Sequence, residues 1–212
     1  ARMELLDEVQ MNAVNRYSDL DYKLRPTLFF EFHGSKEEVI TQAKRVQDIA
    51  NDFSSSDFQW ATKTEDRNKL WQARHDAYYA ALALRPGAKG MVTDVCVPIS
   101  RLAECILETK RDIEEFNLLA PIVGHVGDGN FHLTILVDPD NNDEMIRAKA
   151  LNNKMILRAL DMDGTCTGEH GVGSGKIDFL TAEHGEGVSC MRAIKIAFDP
   201  LNIMNPGKVI RV

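Results

Sequence analysis

The dipeptide Asp128-Gly129 stands between two apolar runs in Gly124-His125-Val126-Gly127-Asp128-Gly129-Asn130-Phe131-His132, and no other stretch restricts the fold as strongly. Asp and Gly tolerate the positive φ angles of a two-residue turn, so the pattern predicts a β-hairpin. With the turn at Asp128-Gly129, Gly127 pairs with Asn130, Val126 with Phe131 and His125 with His132. Directly opposed residues hold their Cβ atoms about 5 Å apart on one face of a sheet, close enough for both rings to reach one divalent ion. A structural, hydrogen-bonded histidine pair satisfies the same pattern, and both readings stand at this point.

A chain of 212 residues can bury a sizeable core and reads as one large domain or one domain with an appendage. Its 44% apolar and 27% charged residues are ordinary for a soluble globular protein. A formal charge of -7, with no basic stripe, argues against a nucleic-acid surface. No run of about 18 apolar residues predicts a transmembrane helix, and the first residues do not resemble a targeting peptide. Ala1-Arg2-Met3 leads almost at once into an apolar strand, which suggests the interior of a longer polypeptide. Cys96, Cys105, Cys166 and Cys190 show no C-x-x-C spacing and are expected to be reduced thiols.

Strand and helix patterns alternate along the chain. An apolar segment spans Met3 to Val9, and a short amphipathic one runs to Tyr17. Thr27 to Phe32 reads as a strand, and Ser35 with Glu38 as a capping box opening a helix with Val39, Ala43 and Val46 at helical spacing. A Ser-rich loop follows, then a short strand candidate at Phe58 to Ala61 and a long helix from Glu65 to Leu84. Met91 to Val97 reads as a strand and Ile99 to Phe116 as a helix. The hairpin arms are Pro121 to Val126 and Phe131 to Val137. Asn141 and Glu144 suggest a second capping box, before a helix with Met145, Ala148, Leu151, Met155, Ile156 and Ala159 on one side. The tail from Phe198 to Lys208 is expected to be irregular. This order predicts an α+β fold, with an antiparallel or mixed sheet covered by helices on a ferredoxin-like plan.

A metal held by two histidines usually takes a further protein ligand, often a carboxylate. The candidate lies in Gly168-Glu169-His170-Gly171-Val172-Gly173-Ser174-Gly175-Lys176, where dense glycines allow close backbone approach. Glu169 is placed to ligate an ion while His170 faces a reacting centre. This run is not a phosphate-binding loop of the G-x-x-x-x-G-K-[ST] type, because His170 replaces the first Gly and Ile177 follows the Lys. Nor does the chain contain H-E-x-x-H. Arg74 falls on an apolar helical stripe with Leu70, Trp71, Tyr78 and Ala81, so its charge needs either an internal acid or a bound carboxylate as partner. Asp94, inside an apolar strand, reads as a satisfied structural acid. His33, His75 and His184 carry no sign of function.

Taken together, His125-Val126-Gly127-Asp128-Gly129-Asn130-Phe131-His132, Gly168-Glu169-His170-Gly171-Val172-Gly173 and Asn205-Pro206-Gly207-Lys208 resemble the C-terminal domain of flavin-linked D-2-hydroxy-acid dehydrogenases. The resemblance covers essentially all of residues 1–212. Thr93 to Ser100 and Gly164 to Gly171 resemble most the mitochondrial, cytochrome-linked branch that oxidises D-lactate. It implies a cap and substrate domain, with the N-terminal domain that binds most of the FAD lying outside this chain. It further implies His125, His132 and Glu169 as ligands of a divalent metal, zinc or manganese, with His170 as catalytic base. By the same resemblance Arg74 binds the substrate carboxylate, and Asn205 and Lys208 approach the flavin. The implied partners are a small 2-hydroxy acid, the FAD domain, an electron acceptor such as cytochrome c and a second copy in a homodimer. The implied compartment is the mitochondrion, and the isolated domain is expected to be inactive. Glycolate and D-2-hydroxyglutarate are alternative substrates. Two readings from other classes use the same residues: a zinc hydrolase in which they activate water, and a non-catalytic module in which the histidines only pack.

Overall fold

Strand β6 (Asn130–Val137) is buried along its whole length, and the rest of the fold is arranged about it. The computed structural model describes residues 2–53, 55 and 58–212. On one side β6 pairs with β5 (Ile122–Gly124), which pairs in turn with β1 (Arg2–Leu6), and the edge on that side is β2 (Thr27–Glu31). On the other side it pairs with β3 (Lys89–Val92) and β4 (Val95–Cys96). Every strand pairing among the described residues is antiparallel, within the predicted α+β class.

Alternation along β6 divides the core. Phe131, Leu133, Ile135 and Val137 enter a cluster with residues of α5 (Ile99–Glu115) and α6 (Asn142–Asp161), including Leu102, Cys105, Ala148, Leu151 and Met155. Leu151 and Met155 are fully buried, each contributing roughly 2 kcal/mol of hydrophobic stabilisation. On the opposite face lie His132, Thr134 and Leu136. A second cluster on this side joins Leu6 of β1 to α1 (Glu8–Ser18), α3 (Thr64–His75) and α4 (Ala77–Ala83) through Met11, Val14, Ala73 and Ala80. No helix among the described residues is long and apolar enough to cross a membrane.

Local signals place most elements. Ser35 and Glu38 form the reciprocal capping box of α2 (Lys36–Asp52). Asn141 caps α6 from its side chain, but Glu144 turns instead to Arg85 and to the Asp138 N–H, so the second box is half made. After α7 (Ile177–His184) and α8 (Gly187–Phe198) the tail is irregular, as predicted.

Four expectations are corrected. Val9 belongs to α1, because the buried Asp7 carboxylate caps that helix at the Gln10 N–H and ends the strand. Residues 58–61 form no strand, and most of the Ser-rich stretch before them lies outside the described residues. The helix predicted from Glu65 to Leu84 is interrupted at Asp76, whose carboxylate accepts from Ser18 Oγ at 2.5 Å and Gln72 Nε2 at 2.8 Å. The strand predicted from Met91 to Val97 breaks at Thr93 and Asp94, where the Thr93 hydroxyl takes over a ladder position by accepting from the Leu133 N–H at 2.8 Å.

The hairpin also differs in register. His132 lies opposite Val123, not His125, and the connection is the five-residue loop 125–129. Both Asp128 and Asn130 donate their N–H groups to the His125 carbonyl, at 2.9 and 3.3 Å. Two tertiary contacts favour the wider loop: Gly127 donates to the Met3 carbonyl, and Val97 N–H donates to the Gly129 carbonyl. Gly129 takes φ +80°, and a Cβ there would stand 2.1 Å from the Val97 oxygen, so only glycine fits.

Candidate functional site

Despite the altered register, the two imidazoles meet, with ring centroids 5.8 Å apart and nearly perpendicular planes. His132 projects from β6, while His125 leads the loop. Glu169 completes the group, with Oε1 at 3.0 Å from His132 Nε2 and 3.3 Å from His125 Nε2. One ligand atom from each of His125, His132 and Glu169 lies within 4.8 Å of the others. His170 lies alongside, its ring centroid 5.2 Å from that of His132 and its Nε2 3.6 Å from the same Glu169 oxygen.

The hydrogen bonds behind the rings define which atoms face the centre. His132 Nδ1 lies 3.0 Å from the Thr93 carbonyl, which can only accept, so Nδ1 carries the proton and Nε2 a lone pair. Burial lowers the His132 pKa, against the opposing pull of the Thr93 carbonyl, Asp94 and Glu169, and favours this neutral form. His125 Nδ1 lies 2.7 Å from Glu4 Oε1 and is assigned its proton in the same way. Three acceptors therefore converge with no hydrogen between them. His132 Nε2 is buried and makes no hydrogen bond of acceptable geometry. Such a lone-pair cluster suits a cation, and nitrogen with carboxylate oxygen is a donor set that zinc and manganese accept. His125, His132 and Glu169 thus fit a divalent ion chemically.

Asp94 locks the two halves together. Its carboxylate, only 2% exposed, accepts from Asn130 Nδ2 at 2.8 Å and Thr167 Oγ1 at 2.8 Å. It also accepts from the N–H groups of Glu169 at 3.1 Å and His170 at 3.0 Å. Burial alone would raise its pKa, but the His170 N–H, Asn130, Thr167 and the Lys176 charge bring it down to about 2. The fit leaves no room at Gly168, where a Cβ would stand 2.0 Å from Asn130 Nδ2. Asp94 is the satisfied acid predicted from sequence, and it is also what carries the Gly-rich loop to the histidines.

Arg74 reaches the site from α3. Its Nε donates to Glu4 Oε2 at 2.9 Å, and Nη2 lies 3.4 Å from His125 Nε2. The predicted internal acid exists, and it is Glu4. Only one guanidinium nitrogen is spent on it. Nothing in the sequence flagged Glu4, whose single acidic side chain in an apolar strand has no motif around it. Asn205 and Lys208 occupy an exposed turn, with Lys208 N–H donating to the Asn205 carbonyl. That turn is joined to the Gly-rich loop by Val209 N–H donating to the Gly173 carbonyl at 2.7 Å. All four cysteines are unpaired in the structure, Cys105 and Cys166 buried and Cys190 exposed.

This antiparallel sheet between helical layers is a fold shared with solved oxidase structures. The structure superposes on "4-ethylphenol oxidase from Gulosibacter chungangensis" with a TM-score of 0.71 at 14% identity, covering 99% of this chain and 47% of that one. A p-cresol methylhydroxylase structure gives 0.67 at 14% identity, with the same coverage of both chains. The chain belongs to the family "FAD linked oxidases, C-terminal domain", whose model matches residues 1–209. It is 52% identical over 213 residues to "Probable D-lactate dehydrogenase, mitochondrial" of Danio rerio, covering 100% of this chain and 43% of that protein. It is 46% identical over 211 residues to "D-lactate dehydrogenase [cytochrome], mitochondrial" of Arabidopsis thaliana, covering 99% and 37%. Glycolate oxidase subunit GlcD of Bacillus subtilis is 32% identical over 212 residues, covering 99% and 45%. The chain thus spans less than half the length of these relatives.

Proposed function

We propose that this chain is the substrate- and metal-binding domain of a flavoprotein that oxidises a D-2-hydroxy acid, D-lactate, to the 2-oxo acid. The observation that carries the reading is the convergence of three unprotonated acceptors from His125, His132 and Glu169 beside the guanidinium of Arg74. The FAD-binding domain belongs to the same polypeptide, a view supported by the share of the relatives' length that this chain spans. Their printed names support D-lactate over glycolate, cytochrome as electron acceptor and the mitochondrion as compartment.

When bound, a divalent ion supplies Lewis acidity to the substrate hydroxyl, and FAD supplies the hydride acceptor. His125 and His132 hold the ion through Nε2 and Glu169 through Oε1. Arg74 offers its terminal N–H groups to the substrate carboxylate, fixing the orientation of Cα. His170 takes the hydroxyl proton at Nε2. Asn205 and Lys208 belong to the part of the tail that meets the flavin. Glu169 and His170 are 46% and 57% exposed at their side chains, so this side of the cluster is open to a ligand.

His132→Ala in the polypeptide joined to its flavin domain tests the reading. Bound zinc or manganese should be lost, and kcat/KM for D-lactate should fall by at least about 100-fold. Unchanged metal content and activity would exclude the ligand role. Hydrolysis by this domain without flavin would support the hydrolase reading instead.

A further inference from the structure

Glu4 is an acid in the interior of β1, 5% exposed, and its two oxygens go to different partners. The Leu6↔Val123 and Leu5↔Gly124 pairs of β1 and β5 carry on in the same register to set Glu4 across from His125. Oε1 lies 2.7 Å from His125 Nδ1, and Oε2 accepts from Arg74 Nε at 2.9 Å. A buried acid serving only to balance an arginine would pair with it through both oxygens, since the guanidinium fork matches a carboxylate bidentately. Here the second oxygen is withheld from Arg74.

The division has two consequences. A carboxylate only accepts, so His125 must be protonated at Nδ1 and must present its Nε2 lone pair to Glu169 and His132. Glu4 holds Arg74 through Nε alone, so the terminal nitrogens of the fork are not spent on the acid, and Nη2 stands 3.4 Å from the same Nε2. One side chain therefore sets the tautomer of one arm of the cluster and the orientation of the arginine. We propose that Glu4 is the positioning residue of this site, coupling the metal-ligand histidine to the carboxylate-binding arginine. The inference rests on the metal-and-carboxylate reading above. The physical precedent is general: a histidine ligand is oriented and made more basic by the acceptor on its other nitrogen, and losing that acceptor typically weakens metal binding 10–100-fold.

The test uses Glu4→Gln in the polypeptide joined to its flavin domain. Glutamine keeps one acceptor oxygen and replaces the other with an NH2 donor, which then faces either the His125 Nδ1–H or the Arg74 Nε–H. Binding of Zn²⁺ and Mn²⁺ alone to metal-free protein, measured by chelator competition, should weaken about 10–100-fold. KM for D-lactate should rise, because Arg74 loses its hold as well. Leu6→Ala, a cavity in the same strand and on the same face, should lower Tm and leave metal affinity unchanged. If Glu4→Gln weakens metal binding no more than Leu6→Ala does, Glu4 is structural and the proposal fails. Should Glu4→Gln not fold, the wild type still decides. Long-range ¹H–¹⁵N correlation of the metal-free protein, assigned with His125→Asn, should find His125 protonated at Nδ1. Protonation at Nε2 would overturn the proposal. If the wild type binds neither ion at this cluster, it is the metal reading that fails, whereas the tautomer measurement still reports on Glu4.

Discussion

Asp94 illustrates how much one buried acid can organise. Its pKa falls from the ordinary 3.8 to about 2 because the His170 N–H, Asn130, Thr167 and the Lys176 charge outweigh desolvation. A carboxylate with a depressed folded-state pKa contributes stability above its unfolded value and loses it as pH falls through the folded one, here between about 4 and about 2. The shift corresponds to ~2 kcal/mol at neutral pH. Asp94→Asn should therefore lower stability at pH 7 by about that amount, with the gap from wild type closing as pH drops towards 2, followed by thermal melts across pH. A gap that persists unchanged at pH 2 would assign the loss to packing rather than charge. At this scale the sequence was uneven. His125, His132, Glu169, His170 and Arg74 were legible because imidazoles beside a turn, an acid among glycines and a cation on an apolar stripe are each conspicuous. Glu4 was not, since its partners stand 70 and 121 positions away.

At the scale of elements, periodicity located helices and strands well, and side-chain chemistry moved their ends. Asp7 ends β1, Asp76 interrupts the helix that Arg74 rides on, and Thr93 with Asp94 divide β3 from β4. Asp7, Thr93 and Asp94 are short polar side chains that offer backbone N–H groups an alternative acceptor, whereas Asp76 bonds the side chains of Ser18 and Gln72. The hairpin shows the same competition across the molecule. Asp-Gly favours a two-residue turn locally, but the Met3 carbonyl and Val97 hold the loop open to five residues. A shift of two positions leaves every side chain on its original face, so His132 keeps its orientation although its partner changes. Gly129→Ala should cost roughly 2–5 kcal/mol, combining a left-handed φ with a Cβ driven into the Val97 carbonyl. Chemical denaturation measures it, and a loss below about 0.5 kcal/mol would mean the loop can rearrange.

For the whole molecule, the informative surface lies at the C-terminal end. Phe198 and Leu201 are 82% and 78% exposed, and Ile203 and Met204, close by in sequence, are exposed too. Exposed apolar side chains of this kind are what a domain contact would cover, and the proposed FAD domain is expected to cover them. Phe198→Ser with Leu201→Ser should leave the melting of the isolated domain within about 0.5 kcal/mol of wild type while reducing its binding of a hydrophobic dye. In the polypeptide joined to its flavin domain the same pair should weaken interdomain cohesion, read as separate melting transitions; a single unaltered transition would place the domain contact elsewhere. The sequence by itself determined the α+β class, the family and the identities of the residues that gather at the site, because periodicity, turn chemistry and motif spacing are local properties of the chain. Tertiary structure alone decided the hairpin register, the break that frees Asp94 to hold the Gly-rich loop, and the pairing of Glu4 with both His125 and Arg74. Those outcomes depend on which carbonyls, carboxylates and N–H groups become neighbours when distant segments pack, and a buried polar group must take the partner that packing brings to it.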